Sequence, residues 1–247
     1  AAEAEPVEAV GPQQRIVVAC STLASARPLL ELAMLTRDTA QQQPVFPLTV
    51  VEDGRSSMED VARAEAELGK MVAMLSAAAV PAQPVTRIAF NVTSGILRAR
   101  RELRGSDVII GWRGRSTPHE LFFGSLMEQM LRDRHFNLTI ARLPEPLNTN
   151  HRIVVAVPPN AEREEGFVQA AGTIKRLAQQ LGAPVVLVGA QAGEARVQRA
   201  FERIKPACDV RLQSLPQWKS VLEALPGLVG DGDLLVVYGV RAGGLAW

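Results

Sequence analysis

Short apolar runs alternate with longer amphipathic stretches through the first half of the chain. In the longer stretches apolar residues recur at helical spacing, and Ser57 and Asp60 are typical of the first turn of one such helix. Near-continuous Val, Ile and Leu runs that are joined by helices of this length imply a parallel sheet covered on both faces. The pattern predicts strands at 15–20, 45–51, 85–91, 107–110 and 137–143, and helices at about 25–38, 57–79, 94–104 and 118–132.

The same alternation begins again in the second half of the chain. The run Arg15-Ile-Val-Val-Ala recurs as Arg152-Ile-Val-Val-Ala, and Asp107-Val-Ile-Ile-Gly-Trp-Arg has a looser counterpart in Asp233-Leu-Leu-Val-Val-Tyr-Gly-Val-Arg. Both ends of a unit therefore recur in the same order, which indicates a duplicated domain. The second copy predicts strands near 152–157, 184–188, 208–213 and 233–238, and helices near 161–181, 191–204 and 217–225.

We therefore expect two tandem α/β domains, each a doubly wound parallel sheet, at 15–143 and 151–247 with a linker at 144–150. Residues 1–14 are rich in Ala, Glu and Pro and lack a Met, which predicts a flexible linker in a piece of a longer protein. The last helix and strand of the first copy have no counterpart in the second. We expect the second domain to be incomplete at its C-terminal end.

Composition and charge narrow the function classes. The net charge is +1 and aromatic residues are 4% of the chain, which argues against a nucleic-acid partner. Every apolar run is shorter than the roughly 20 residues of a spanning helix, so the fragment itself is expected to be soluble. Cys20 and Cys208 lie far apart and the three histidines lack ligand spacing, so we expect neither a disulfide nor a metal site.

A cluster of arginines follows the third predicted strand. The functional interpretation is contact with anionic lipid at a membrane surface, and the simpler interpretation is a solvated helix face. The cluster on the predicted helix comprises Arg98, Arg100, Arg101 and Arg104.

A glycine-rich loop follows the fourth predicted strand. Gly111 and Gly114 allow the backbone to turn sharply and to approach a ligand closely. Gly124 and Ser125 open the next predicted helix, where Ser125 with Glu128 matches a capping box. A helix N-terminus presents unpaired N–H groups that suit a phosphate. The spacing indicates a phosphorylated ligand held at both ends of the loop, although glycines of this kind also occur in plain connectors.

Other candidate residues end neighbouring strands at the same predicted edge. In a doubly wound sheet, ligands bind beyond the carboxyl ends of the strands, where strand order reverses. Ser21 and Thr22 follow the first strand, and Val50 and Val51 end the second. We expect these four residues to meet the glycine loop at one site.

The first copy resembles the universal stress protein family, whose domains are also described as adenine nucleotide alpha hydrolase-like. The motif Gly-x-x-Gly, nine residues, Gly-Ser is matched at Gly111, Gly114, Gly124 and Ser125. The resemblance implies that this motif holds the ribose and phosphates of ATP or another adenine nucleotide, with backbone at Val50 or Val51 facing the adenine. Ser21 stands where binding members usually carry Asp, and a serine hydroxyl also hydrogen-bonds a ribose.

A narrower resemblance concerns the tandem arrangement. Together with the strand-one sequence and the runs Pro144-Glu-Pro-Leu-Asn-Thr and Val157-Pro-Pro-Asn-Ala-Glu-Arg-Glu, it is similar to the C-terminal cytoplasmic region of bacterial cation/proton (Na+/H+) antiporters of the monovalent cation:proton antiporter-2 type. The resemblance implies a regulatory domain at the cytoplasmic face of the inner membrane. Its expected partners are the membrane part of its own chain, a second copy in a homodimer, and an adenine nucleotide.

We expect no enzymatic activity, since no Ser-His-Asp set or Walker lysine is placed by the sequence. Arg113 or Arg115, which both lie inside the glycine loop, is expected to contact ligand phosphates, and Arg113 is taken as the site residue. Pro158 and Pro159 lack N–H donors at the position of Ser21 and Thr22, so the second domain is expected not to bind nucleotide. The alternatives are a scaffold that binds no ligand and dimerises, and a slow ATP hydrolase.

Overall fold

The computed structural model describes residues 13–54, 57–112, 128–133, 135–191, 193–241, 244 and 246. They separate into two compact units, Pro12–Pro144 and Glu145–Trp247, which we call the N-terminal and C-terminal units. Each unit contains one parallel sheet interleaved with helices. The predicted α/β class with two parallel-sheet domains is confirmed.

The N-terminal unit is built on five strands: β1 (Ile16–Ala19), β2 (Val45–Glu52), β3 (Val85–Ala89), β4 (Asp107–Gly111) and β5 (Asn137–Ala141). Their order is β3-β2-β1-β4-β5, and every neighbouring pair is parallel. Strand order therefore reverses between β1 and β4. All five strands were predicted from the apolar runs, because strands covered on both faces carry such runs.

Three helices of this unit begin at side-chain caps: α1 (Leu23–Thr36), α2 (Met58–Ala77) and α3 (Val92–Leu103). The caps are Thr22, Ser57 and Asn91, and each forms a capping box with the residue three positions later. The predicted pairing of Ser57 with Asp60 is one of them. Residues 128–132 are also helical, whereas the rest of the predicted helix 118–132 lies outside the described residues.

The C-terminal unit repeats the first four strands as β6 (Arg152–Ala156), β7 (Val185–Ala190), β8 (Val210–Leu215) and β9 (Asp233–Val237), in the order β8-β7-β6-β9. Its helices are α4 (Phe167–Leu181), α5 (Glu194–Arg203) and α6 (Trp218–Leu228). The predicted start of α4 at 161 was wrong. Residues Ala161–Arg163 instead form a 3-10 turn, which ends because Glu164 takes an extended conformation (φ −76°, ψ 140°), and α4 begins after Gly166.

The duplicated arginine plays the same part in both units. Arg15 donates from Nη1 to the Leu103 carbonyl at the end of α3, and Arg152 donates from Nη2 to the Leu228 carbonyl at the end of α6. Arg152 also donates two hydrogen bonds to Asp233, from Nε to Oδ1 at 2.9 Å and from Nη2 to Oδ2. A bidentate pair of this kind fixes the first strand of the C-terminal unit against its fourth.

Replacing Asp233 with asparagine is expected to lower the free energy of unfolding of the C-terminal unit by about 1 kcal/mol at pH 7. The pKa of Asp233 is lowered, first by the hydrogen bond from Arg152 and also by that from the Gly230 N–H. A carboxylate whose pKa falls on folding stabilises above its unfolded pKa, and this contribution is lost as the pH drops through the folded pKa. In urea unfolding, the difference in unfolding free energy between the parent chain and the variant should disappear between pH 7 and about pH 2. A difference that persists in acid would contradict a stabilising role of the charged Asp233 carboxylate. Asp231→Asn is the control, because Asp231 is exposed.

The predicted arginine face is only partly solvated. Arg98, Arg101 and Arg104 are exposed, but Arg100 is buried and donates to Asp133 Oδ2 at 2.8 Å. The interpretation of Arg100 as a solvent-facing residue was therefore wrong: its position on the sheet-facing side of α3 places it beside Asp133 and Phe136.

Cys20 and Cys208 carry free thiols, and burial raises the pKa of Cys20 to about 12. Among the described residues, no helix is long and apolar enough to cross a membrane. The same residues contain no cluster of three or more His, Cys, Asp or Glu side chains arranged to hold a metal ion.

Candidate functional site

A notch opens at the carboxyl edge of the N-terminal sheet because β1 is shorter than its neighbours. β1 ends at Ala19, opposite Leu48 of β2 and Ile110 of β4. β2 continues to Glu52 beside β3, and β4 continues to Gly111 beside β5. The notch therefore lies between β2 and β4, where strand order reverses, which is the position at which doubly wound sheets bind ligands.

Backbone groups of Val50 face this notch. The Asp53 N–H bonds the Ala89 carbonyl at 2.8 Å, and the Cys20 N–H bonds the Leu48 carbonyl at 2.9 Å. Because successive peptide groups of a strand point to opposite sides, Val51 faces β3, and Val50 points toward the end of β1. The Cys20 carbonyl accepts the Thr49 hydroxyl at 3.0 Å, and no bond joins it to the Val50 N–H. Among the described residues, Val50 thus has an N–H donor and a C=O acceptor at the notch.

The two valines that the sequence left as alternatives differ in their surroundings. The Val51 side chain is buried. The Val50 side chain packs on the opposite face of the sheet, against α3, where an ideal Cβ on Gly95 would lie 2.5 Å from Val50 Cγ1. The backbone geometry favours Val50 as the residue that meets a ligand.

The floor of the notch is the turn between β1 and α1. Ser21 is exposed, whereas Thr22 is occupied as the helix cap, because its Oγ1 accepts the Ser25 N–H at 3.4 Å. The next N–H of this turn, on Leu23, donates to Glu67 Oε2 of α2 at 2.7 Å. A carboxylate of the protein itself therefore sits at the N-terminus of α1. The pKa of Glu67 is lowered, first by the hydrogen bond from Lys70 and then by that from Leu23.

Gly111 lies on the β4 side of the notch. An ideal Cβ there would come within 3.3 Å of Leu29 Cδ1 of α1, so the missing side chain accommodates this helix rather than a close ligand. The next residue, Trp112, donates its N–H to the Ala141 carbonyl at 2.8 Å and leaves its side chain 44% exposed at the rim. Arg113, Gly114, Gly124 and Ser125 lie outside the described residues, and their roles stay predictions.

The structure brings Ser21, Val50 and Gly111 to one edge, as expected from their strands. Sequence reasoning missed Glu67 and Thr93, which come from helices and belong to no motif. Glu67 had no visible signal, because a glutamate within an amphipathic helix normally faces solvent. Thr93 is 1% exposed at the start of α3. The sequence indicates only that it lies in the first turn of this helix, two residues after the Asn91 cap.

The equivalent edge of the C-terminal unit is filled. The Val157 N–H bonds the Val188 carbonyl at 2.9 Å, as Cys20 bonds Leu48, but Pro158 and Pro159 follow. A cavity of about 10 Å³ remains between these prolines, β7 and Glu194, which holds at most one water molecule. The carboxylate of Glu164 accepts the Ala246 N–H at 2.7 Å.

Residues 13–142, which span the whole notch, match the family model described as the Universal stress protein family. The chain belongs to this family. No curated protein sequence matches it. The solved structures that match this chain cover between about half of it and nearly all of it.

A universal stress protein of Archaeoglobus fulgidus DSM 4304 matches 94% of this chain and 87% of its own length, with 16% identity and a TM-score of 0.63. The cytoplasmic domain of a prokaryotic cation chloride cotransporter matches 83% of this chain and 79% of its own length, with 13% identity and a TM-score of 0.56. A universal stress protein of Archaeoglobus fulgidus solved in complex with dAMP matches 52% of this chain and 98% of its own length, with 19% identity and a TM-score of 0.41.

Replacing Gly95 with alanine is expected to lower the free energy of unfolding of the N-terminal unit by about 1–3 kcal/mol. The new Cβ would lie 2.5 Å from Val50 Cγ1 and 3.2 Å from Ala89 Cβ, so α3 must move away from the ends of β2 and β3. Gly69→Ala in α2 is the matched control, since nothing lies within 4 Å of its ideal Cβ. It should stabilise by up to about 1 kcal/mol through helix propensity. Chemical denaturation measures both variants, and equal effects would contradict the clash.

Proposed function

We propose that this chain is the cytosolic regulatory part of a cation/proton antiporter and that its N-terminal unit senses an adenine nucleotide. The observation that carries the ligand proposal is the notch above β1, into which Val50 turns one N–H and one C=O. An adjacent donor and acceptor on one backbone residue suit the edge of adenine, which offers a ring-nitrogen acceptor next to an amino donor. Family membership supports this choice.

Guanine tests the assignment, because its oxo group and ring N–H reverse the order of donor and acceptor. Thermal unfolding is measured with ATP, ADP, AMP, cyclic AMP and GTP. At least one adenine nucleotide should raise the unfolding temperature, since a ligand that binds only the folded state stabilises it by mass action. GTP should give a smaller rise. No rise with any adenine nucleotide would overturn the proposal and favour the scaffold.

Arg113→Ala examines the phosphate end of the site. We expect weaker binding of AMP with unchanged binding of adenosine, because the arginine is predicted to meet the phosphate. Arg101→Ala is a control, since Arg101 is exposed on α3. Unchanged AMP affinity in Arg113→Ala would remove Arg113 from the site.

The transporter part of the proposal is supported by the likeness to a cotransporter cytoplasmic domain, which spans most of both chains. Regulation would act by linkage: a nucleotide that binds one arrangement of the two units better than another shifts their equilibrium by its differential affinity. In everted vesicles that contain the parent transporter, cation/proton exchange should change with nucleotide, and Arg113→Ala should remove this dependence. If the protein binds nucleotide but the rate of cation/proton exchange does not change with it, regulation is refuted.

A slow ATP hydrolase is the second candidate, and it makes a different prediction. It requires release of phosphate from ATP that depends on a divalent metal and disappears on Gly114 or Ser125 substitution. Glu67 is an acidic side chain beside the notch, but its two oxygens are engaged by Leu23 and Lys70. That engagement favours binding over hydrolysis.

A further inference from the structure

One polar group beside the notch has no hydrogen-bonding role in the fold. Thr93, in the first turn of α3, is 1% exposed, and its hydroxyl has no hydrogen-bond partner among the described residues. A buried hydroxyl without a partner destabilises the fold because its bonds to water are not replaced. Helical threonines often donate to the carbonyl four residues earlier, but Thr93 is the second residue of α3, and the residue four positions earlier, Ala89, ends β3.

The hydroxyl lies on the flank of α3 that faces β4. Thr93 precedes Arg100 by seven residues, which is about two helical turns, so the two side chains share a flank. Arg100 reaches Asp133 and lies over the Phe136 ring, just before β5. Gly95 faces Val50 on the other flank. Because α3 begins at the carboxyl edge, Thr93 lies beside the notch where strand order reverses.

The first turn of α3 adds backbone donors at the same place. The Ser94 N–H is bonded to Asn91 Oδ1 at 2.8 Å. The N–H groups of Val92 and Thr93 have no acceptor among the described residues. α3 has 12 residues, and the positive end of its dipole favours a negatively charged oxygen at this terminus.

We propose that the Thr93 hydroxyl donates a hydrogen bond to a phosphate oxygen of the nucleotide held in the notch. Thr93 is then a ligand-contacting residue that the glycine motif does not include, and the contact rests on the proposed nucleotide function. The proposal accounts for an unpartnered polar group in a packed helix: a locally unfavourable feature is expected where function requires it.

Thr93→Val tests the contact because valine keeps the shape and removes only the hydroxyl. The free protein should unfold about 2–4 °C higher, since a buried unpaired group is gone. Titration calorimetry of the whole chain should show AMP affinity falling about tenfold, the scale of one hydrogen bond to a charged group. Adenosine affinity should not change. Thr93→Ser keeps the hydroxyl and should keep the AMP affinity.

The outcomes separate this contact from the proposed function. If Thr93→Val binds AMP as tightly as the parent chain, the contact is wrong and nucleotide sensing stands. If AMP and adenosine weaken equally, the substitution acts on the base pocket and the contact is again wrong. If the parent chain binds no nucleotide, the proposed function fails and the contact with it. Thr173→Val, whose hydroxyl donates to Gln169 in the C-terminal unit, should leave AMP affinity unchanged.

Discussion

Replacing Lys175 with alanine is expected to lower the free energy of unfolding of the C-terminal unit by about 3–5 kcal/mol. Lys175 of α4 is 1% exposed, and its Nζ donates to the carbonyls of Phe201, Glu202 and Ile204. These carbonyls lie at the C-terminal end of α5, where a helix leaves acceptors without intrahelical donors, and the Phe201 carbonyl also accepts the Ile204 N–H at 3.2 Å. The substitution removes both the packed stem of the side chain and the donor that closes α5.

Lys175→Met separates the two contributions. Methionine keeps the apolar stem, so the loss should fall to about 2 kcal/mol, the scale of leaving buried acceptors unpaired. Burial lowers the pKa of Lys175, because a charged ammonium is less well solvated there than in water. Hydrogen exchange resolved by peptide reports each unit separately. Lys219→Met is the control, because the Lys219 side chain is 84% exposed. A Lys175→Met variant as stable as the parent would mean that the ammonium contributes nothing net.

Replacing Arg100 with alanine is expected to destabilise the N-terminal unit by about 3 kcal/mol. The Arg100 and Asp133 side chains are 11% and 15% exposed, and the guanidinium lies 4.9 Å from the centre of the Phe136 ring. Alanine at 100 leaves the Asp133 carboxylate without its cation and removes the contact that covers Phe136. Truncating one partner of a buried ion pair costs more than removing both.

The double variant Arg100→Ala/Asp133→Ala should therefore be less destabilised than the sum of its single variants. Burial raises the pKa of Asp133, but the His135 N–H and the charge of Arg100 outweigh it and leave the pKa lowered. The effect of Arg100→Ala should thus shrink as the pH falls through the folded pKa of Asp133. Arg98→Ala is the control, since Arg98 is 72% exposed in its pair with Glu102 and should change stability by less than about 1 kcal/mol. Additive single effects would refute the buried pair.

The strands and most helix boundaries followed from local patterns. Apolar runs such as Arg15-Ile-Val-Val-Ala predict buried strands wherever they occur, and β1 and β6 have the same conformation in both units. The error at α4 arose because residues 161–165 have helix-forming side chains, while the extended backbone of Glu164 interrupts the helical path before the Gly166 cap. Backbone angles of this kind are not visible in hydrophobic spacing.

Only part of the candidate site could be predicted from the sequence. The strand ends that carry Ser21, Val50 and Gly111 were predictable, because parallel strands present their carboxyl ends at one edge. The choice between Val50 and Val51 required the register of β2 against β1 and β3. The engagement of Thr22 as a cap and of Glu67 at the Leu23 N–H required the packing of α1 on α2.

The sequence by itself determined the α/β class, the duplication and the edge of the sheet at which a ligand is expected, because these depend on periodicity and on the order of strands. Only the tertiary structure decided that Val50 faces the notch, that Arg100 is paired rather than solvated, and that the Thr93 hydroxyl is buried without a partner. Each of these depends on residues distant in sequence. Strand register and helix docking bring them together, and local patterns carry no information about either.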